Sequence, residues 1–172
     1  KSVFFKNFIP GTAIAVAAKL GAPGVIEELK NTQLAGRGGA NFPTWKKWNS
    51  AMLQPAIPKY VICNADEGEP GTFKDRVLMN TQARSLIEGM MICGFTIGAD
   101  SGIIYLRAEY RWLKPKLDDA ISEYRYAGLL GKDCCGIKGF DFDIRIQVGA
   151  GSYVCGEETA MLESLEGKRG EP

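Results

Sequence analysis

Three short apolar runs, separated by stretches with helical spacing, constrain this chain more than any other feature of its sequence. Tyr60-Val61-Ile62-Cys63 and Ile103-Ile104-Tyr105-Leu106 are continuous apolar runs, the pattern of strands buried on both faces. Phe142, Ile144, Ile146 and Val148 alternate with Asp143, Arg145 and Gln147, which reads as a strand with one wetter face. Between the first two runs, Ala83, Leu86, Ile87, Met90 and Met91 form a helical stripe within residues 82–98. Between the second and third, Leu113, Leu117, Ala120, Ile121 and Tyr124 do the same within 113–127. Pro115 is tolerated there only in the first turn, and Gly128 ends the helix. A further helix is expected after a glycine turn at 149–151, ending before Gly167. Alternation of this kind implies right-handed crossovers and a mainly parallel α/β sheet with helices on both faces.

In such sheets ligands bind beyond the carboxyl ends of the strands. The loops at those ends are residues 64–71, 107–111 and 149–158, so all three are expected along one edge. Upstream, residues 25–32 suit a short helix, a glycine loop follows at 36–41, and Thr44 suits the cap of a helix over 45–52. The first 24 residues carry no clear pattern.

Composition narrows the chemistry. The sequence has no histidine, which removes Ser-His and Cys-His nucleophile pairs, His-ligated zinc and the commonest general base. The five cysteines form no C-x-x-C pair, and an odd, scattered set fits free thiols in a reducing compartment. A net charge of +1 gives no reason to expect nucleic acid or a membrane surface. The longest apolar stretch, residues 86–99, is interrupted by Glu88 and is too short to span a bilayer. Hydride transfer suits such a chain, because the cofactors make and break the bonds and the protein positions them.

Three segments carry candidate chemistry. In Gly36-Arg37-Gly38-Gly39-Ala40-Asn41-Phe42-Pro43, glycines let backbone N–H groups approach an anion or a flat ring. The loop lacks the last glycine of G-x-G-x-x-G and follows no strand, so taken alone a tight connection between two helices explains it better. Lys47, just beyond, suits either a phosphate or a solvated helix face. In Asn64-Ala65-Asp66-Glu67-Gly68-Glu69-Pro70-Gly71, three carboxylates leave a buried strand together. They suit ribose hydroxyls, ring N–H groups or a divalent cation; the plainer reading is an acidic turn neutralised by Lys74 and Arg76. In 149–159, Tyr153 offers a face and a hydroxyl. Glu157 and Glu158 sit well at a helix start, where capping alone would also account for them. Cys155 has no base beside it and reads as a buried thiol.

In order and spacing these segments resemble the signatures of one family, the NADH-binding flavoprotein subunit of respiratory complex I. Its G-R-G-G-A-G-F-P-T, N-A-D-E-x-E-P-G-x-F-K-D-R and G-A-G-x-Y-x-C-G-E-E-T-A motifs stand here at 36–44, 64–76 and 149–160, followed by Glu166-Gly167-Lys168-Arg169-Gly170. The diaphorase subunits of soluble NAD-reducing hydrogenases and NAD-linked formate dehydrogenases share the module, and residues 139–146 look closer to the soluble enzymes.

The resemblance implies a Rossmann-like domain over 34–172, preceded by a partly helical lead-in over 1–33. It implies FMN across the three loops, held by Gly36, Arg37, Gly38, Lys47, Asn64, Asp66, Glu67, Tyr153, Gly156 and Glu157. NADH would stack over the flavin, with Phe42, Glu69 and Glu158 serving the dinucleotide; a carboxylate near the adenosine ribose favours NAD over NADP. Hydride would pass to FMN, and electrons onward to iron–sulfur subunits of a larger complex. The complex would be cytoplasmic or matrix-side, without nucleic acid or membrane insertion by this chain. The family continues into a region whose C-x-x-C-x-x-C run and distal cysteine hold a 4Fe-4S cluster. That run is missing here, so none of the five cysteines is expected as a metal ligand, and the chain reads as truncated before that region. Two departures stand out: Asn41 replaces a glycine, and Trp45 replaces a small residue. Two rivals remain, a Mg-dependent phosphotransferase using Asp66, Glu67, Glu69 and Glu158 with Lys47, and a docking protein whose site is vestigial.

Overall fold

The computed structural model describes residues 8–149 and 151–170. Residues 1–7 of the lead-in and Ala150 of the expected glycine turn lie outside the described residues.

Strands β1 (Tyr60–Ala65), β2 (Ser101–Leu106) and β3 (Asp143–Val148) form one parallel sheet in the order β1-β2-β3. The register is level: Tyr60, Ser101 and Asp143 are partners at one end, and Ala65, Leu106 and Val148 at the other. All three carboxyl ends therefore open onto the same edge, as the strand–helix alternation implied.

Helices α3 (Lys74–Ile97) and α4 (Lys114–Tyr126) are the two crossovers and pack on the same face. Their Ile87, Met91, Leu117 and Ile121 share a core with Val61, Ala65, Ile104, Leu106 and Ile144. Each of the fully buried Ile, Leu and Met side chains among them contributes roughly 1.5–3 kcal/mol. On the opposite face, α5 (Glu158–Leu165) lays Met161 and Leu165 against Ile62 and Tyr105, near the carboxyl end. Helices thus lie on both faces, but the second face is covered at one end. This corrects the reading of 60–63 as a strand buried on both sides. β1 is an edge strand and Tyr60 stands half exposed, whereas β2, in the middle, is buried nearly throughout.

Helix boundaries also differ from the expected ones. α1 runs from Thr12 to Asn31, where only 25–32 showed a pattern. Gly21 breaks it with φ 68°, ψ 167°, which splits the apolar periodicity and hides it from the sequence. Its start is held from a distance. The Glu88 carboxylate, fully buried on α3, accepts the N–H groups of Gly11 (2.8 Å), Ala13 (2.7 Å) and Ile14 (2.9 Å). Those are orphan donors of a helix N-terminus, so the acid that interrupts an apolar stretch is a tertiary cap. α3 begins eight residues earlier than expected, with non-helical angles at Gln82 joining two helical segments. α2 (Thr44–Leu53) starts at Thr44 with Pro43 as its N-cap, and the Thr44 side chain makes no capping bond.

Candidate functional site

The glycine loop is a closed neck with an open interior. Ala35 and Pro43 form an antiparallel bridge, Gly36 N–H donates to Phe42 O (2.9 Å), and Thr44 N–H donates to Leu34 O (2.9 Å). Gly39 and Asn41 take positive φ, 108° and 50°. Asn41 is therefore in the left-handed region that asparagine tolerates better than most residues. A Cβ placed on Gly38 or Gly39 would meet nothing, so the loop interior faces open space. Gly36, Arg37 and Phe42 are exposed there. On the outer side, Trp45 lines an open cleft of about 410 Å³ with Lys30, Gln33, Ala35, Asn41 and Pro43. The ammonium groups of Lys30 and Lys46 lie 5.9 and 5.6 Å from its ring.

The loops are tied across the edge by three bonds between residues far apart in sequence. Lys47 Nζ meets Glu158 Oε2 at 3.0 Å, Asn64 Nδ2 donates to Gly156 O at 2.8 Å, and Tyr153 Oη donates to Glu69 Oε2 at 2.7 Å. Gly68 and Gly156 permit this closeness. A Cβ on Gly156 would stand 3.2 Å from Asp66 O, and one on Gly68 3.0 Å from the Tyr153 ring.

The carboxylates divide by task. Glu67 is buried, accepts from Asp75 N–H (2.9 Å), Arg76 N–H (3.5 Å) and Tyr110 Oη (3.0 Å), and so caps α3 with its side chain. Glu157 caps α5, accepting from Thr159 N–H (2.9 Å) and Ala160 N–H (3.0 Å). Those N–H groups hold its carboxyl below the usual range. Asp66 differs: its Oδ2 is buried and has no hydrogen-bond partner. Burial pushes its carboxyl up, against the pull of the nearby Arg107 guanidinium. An acceptor left unpaired inside a protein is uncommon and fits a donor supplied by a ligand.

The sequence motifs assign nothing to residues 107–111, yet Arg107, Glu109 and Tyr110 shape the acidic loop. The available signal is position: Arg107 follows β2 directly, on the edge where ligands bind. The four carboxylates of the phosphotransferase reading do not converge. Glu67 turns to α3, Glu69 to Tyr153, Glu158 to Lys47, and Asp66 stands apart. All five cysteines are free, with burial pushing Cys63 and Cys93 up to about 12.

An open parallel sheet with level strand ends, crowned by an open glycine loop and interlinked acidic loops, defines a nucleotide-cofactor-binding α/β domain. The particular family follows from comparison: the chain belongs to the family described as the Nuo51 FMN-binding domain, whose model matches residues 29–172. It is 54% identical over 148 residues to the alpha subunit of the NAD-reducing hydrogenase HoxS of Cupriavidus necator, covering 86% of this chain and 25% of that protein. It is 49% identical over 160 residues to the F subunit of the NADH-quinone oxidoreductase of Aquifex aeolicus, covering 93% and 37%. It is 50% identical over 148 residues to HndC, a subunit of the NADP-reducing hydrogenase of Solidesulfovibrio fructosivorans, covering 86% and 30%. The fold matches an NAD+-reducing NiFe hydrogenase in the H2-reduced state with TM-score 0.85 and 40% identity, over 96% of this chain and 28% of that one. The chain therefore spans a quarter to somewhat over a third of the curated relatives it matches.

The residues present fit FMN. The open glycine loop and Lys47 suit a phosphate, and the unpaired Asp66 oxygen suits an N–H donor of a flat heterocycle.

Proposed function

We propose that this chain is the FMN- and NADH-binding part of a diaphorase, an NADH dehydrogenase module within a multi-subunit complex of the complex I or NAD-reducing hydrogenase type. The observation that carries this reading is the joining of the 64–71 loop to the 149–158 loop and to Arg107 on the carboxyl edge, with the Asp66 acceptor buried and unpaired there. FMN, when bound, accepts the two electrons of NADH as hydride and releases them singly to iron–sulfur centres, which suits a chain without a histidine base.

On this reading Gly36, Arg37, Gly38 and Lys47 hold the flavin phosphate end, while Asn64, Asp66, Tyr153 and Gly156 hold the ring. Glu67 and Glu157, expected as direct flavin contacts, have their carboxylates committed to the starts of α3 and α5 and serve the flavin by fixing the loops from which the remaining contacts come. Phe42, Glu69 and Glu158 serve the dinucleotide. Residues 34–172 are the cofactor unit and 1–33 its lead-in. A 4Fe-4S cluster belongs to the longer region that the relatives possess. The partners are iron–sulfur electron-transfer subunits, and the setting is cytoplasmic or matrix-side. No described helix is long and apolar enough to cross a membrane. A pure docking role leaves the unpaired Asp66 oxygen without a purpose.

The test is the visible spectrum of the assembly before and after anaerobic NADH. A flavin band that bleaches with NADH and weakly with NADPH supports the reading and the NAD preference. That preference is worth testing directly, since one relative belongs to an NADP-reducing hydrogenase. Absence of flavin in folded, FMN-reconstituted protein overturns it.

A further inference from the structure

The middle loop faces the site, yet none of the roles above falls on it. Arg107 is its centre. Its backbone N–H donates to Ala65 O (3.1 Å), which extends the β1–β2 ladder by one bond and roots the residue in the sheet. Its guanidinium grips the Glu109 carboxylate with Nε (2.9 Å) and Nη2 (3.0 Å). The remaining arm, Nη1, donates to the Glu67 carbonyl. The group also lies 5.8 Å from the Tyr110 ring, and the Tyr110 hydroxyl holds the Glu67 carboxylate at 3.0 Å. Glu67 is thus pinned at both ends, its carbonyl by Arg107 and its carboxylate by Tyr110 and the start of α3.

We propose that Arg107 is the positioning residue of the acidic loop, holding the 66–68 backbone in place and so aiming the unpaired Asp66 oxygen at the flavin site. The proposal rests on the FMN reading for its purpose, and on geometry within the flavin-free chain for its substance. A planar guanidinium can clamp a carboxylate with two arms and still serve a carbonyl with the third; a lysine ammonium has no such fixed fork.

The charges around Asp66 agree. Burial disfavours its anion, Arg107 favours it and Glu109 opposes it, and the Tyr105 phenol on β2 is a further titratable neighbour. From the third loop Asp66 meets Gly156, whose neighbour Glu157 is turned to α5. Lys47 and Lys74 are engaged with Glu158 and Asp75. Arg107 is a cation placed to offset the burial of Asp66.

The experiment compares Arg107→Met and Arg107→Lys in the full-length protein. In the flavin-free state, the Asp66 carboxyl is titrated by carbon NMR and the 67–71 amides are followed by hydrogen exchange. Arg107→Met is expected to raise the Asp66 midpoint by about one pH unit, equivalent to a tenfold change in its proton affinity. Arg107→Lys is expected to move it by less than half as much. Both are expected to speed exchange of the 67–71 amides about tenfold, because neither keeps the fork. FMN titration then reads the consequence, an affinity loss of about tenfold for Met. Unchanged Asp66 titration and loop protection in folded Arg107→Met overturn the proposal. If that variant does not fold, unchanged loop exchange in Arg107→Lys overturns it. A parent protein that refuses FMN overturns the functional reading and leaves the flavin-free measurements to decide this one.

Discussion

The side-chain amide of Asn64, at the end of β1, donates to the backbone carbonyl of Gly156, 92 residues later, at 2.8 Å. Its own carbonyl oxygen accepts the Asp66 N–H at 3.1 Å, so one residue ties the third loop to the edge and starts the acidic loop's turn. Both bonds are exposed. Asn64→Ala is therefore expected to reduce stability by about 1 kcal/mol, the usual net worth of such bonds. FMN affinity is expected to fall more, about tenfold, since two loops lose their common tie. Urea unfolding and flavin fluorescence titration separate the two effects.

Lys47 and Glu158 test whether a surface ion pair serves the fold or the ligand. The pair is more than two-thirds exposed on both sides, and such pairs contribute little to stability. Lys47→Ala is expected to leave the Tm within about 2 °C of the parent. FMN affinity is expected to drop about tenfold, with the dependence on ionic strength reduced. A large loss of Tm without a change in FMN binding would assign the lysine to the fold.

Glu67 is expected to behave oppositely. Its carboxylate serves two α3 N–H groups and the Tyr110 hydroxyl while buried. Glu67→Ala leaves those donors without a partner, at about 3 kcal/mol. Glu67→Gln keeps an acceptor but loses the charge, and is expected to lose about half of that. Equal urea midpoints for parent and Ala variant would refute the capping role.

Glu157 gives a pH signature. The Ala160 and Thr159 N–H groups depress its carboxyl in the folded state. The cap's contribution is thus present above the unfolded glutamate value and is lost as pH falls through the depressed folded value. In hydrogen exchange of α5 amides, protection is expected to fall on acidification through the lower carboxylate range. Glu157→Gln is expected to flatten that acid-side dependence. An unchanged pH profile in the variant contradicts the assignment.

Gly149 is fixed by packing. A Cβ there would stand 2.7 Å from the Tyr105 hydroxyl and 2.8 Å from its ring, and Tyr105 is fully buried. Gly149→Ala is expected to destabilise by about 1–3 kcal/mol through overpacking. Thermal unfolding measures it, and Gly38→Ala, which meets nothing, is the matched control.

Much of this protein is legible along the chain because its signals are local. Period-two and period-3.6 apolar patterns place three strands and their crossover helices, and the parallel strands those crossovers demand then put 64–71, 107–111 and 149–158 on one edge. The glycine loop and the acidic loop are visible as motifs in the residues alone. Tertiary structure decided what each carboxylate does, because a charge's task depends on which donors reach it through space. Glu88, read along the chain as an interruption, caps α1 from 74 residues or more away. Glu67 and Asp66 are neighbours in sequence, yet one is saturated by α3 and Tyr110 while the other keeps a buried, unpaired oxygen. Arg107 has no motif to mark it, and its importance arises only where β2 ends level with β1 and its three-armed cation meets the loop beside it.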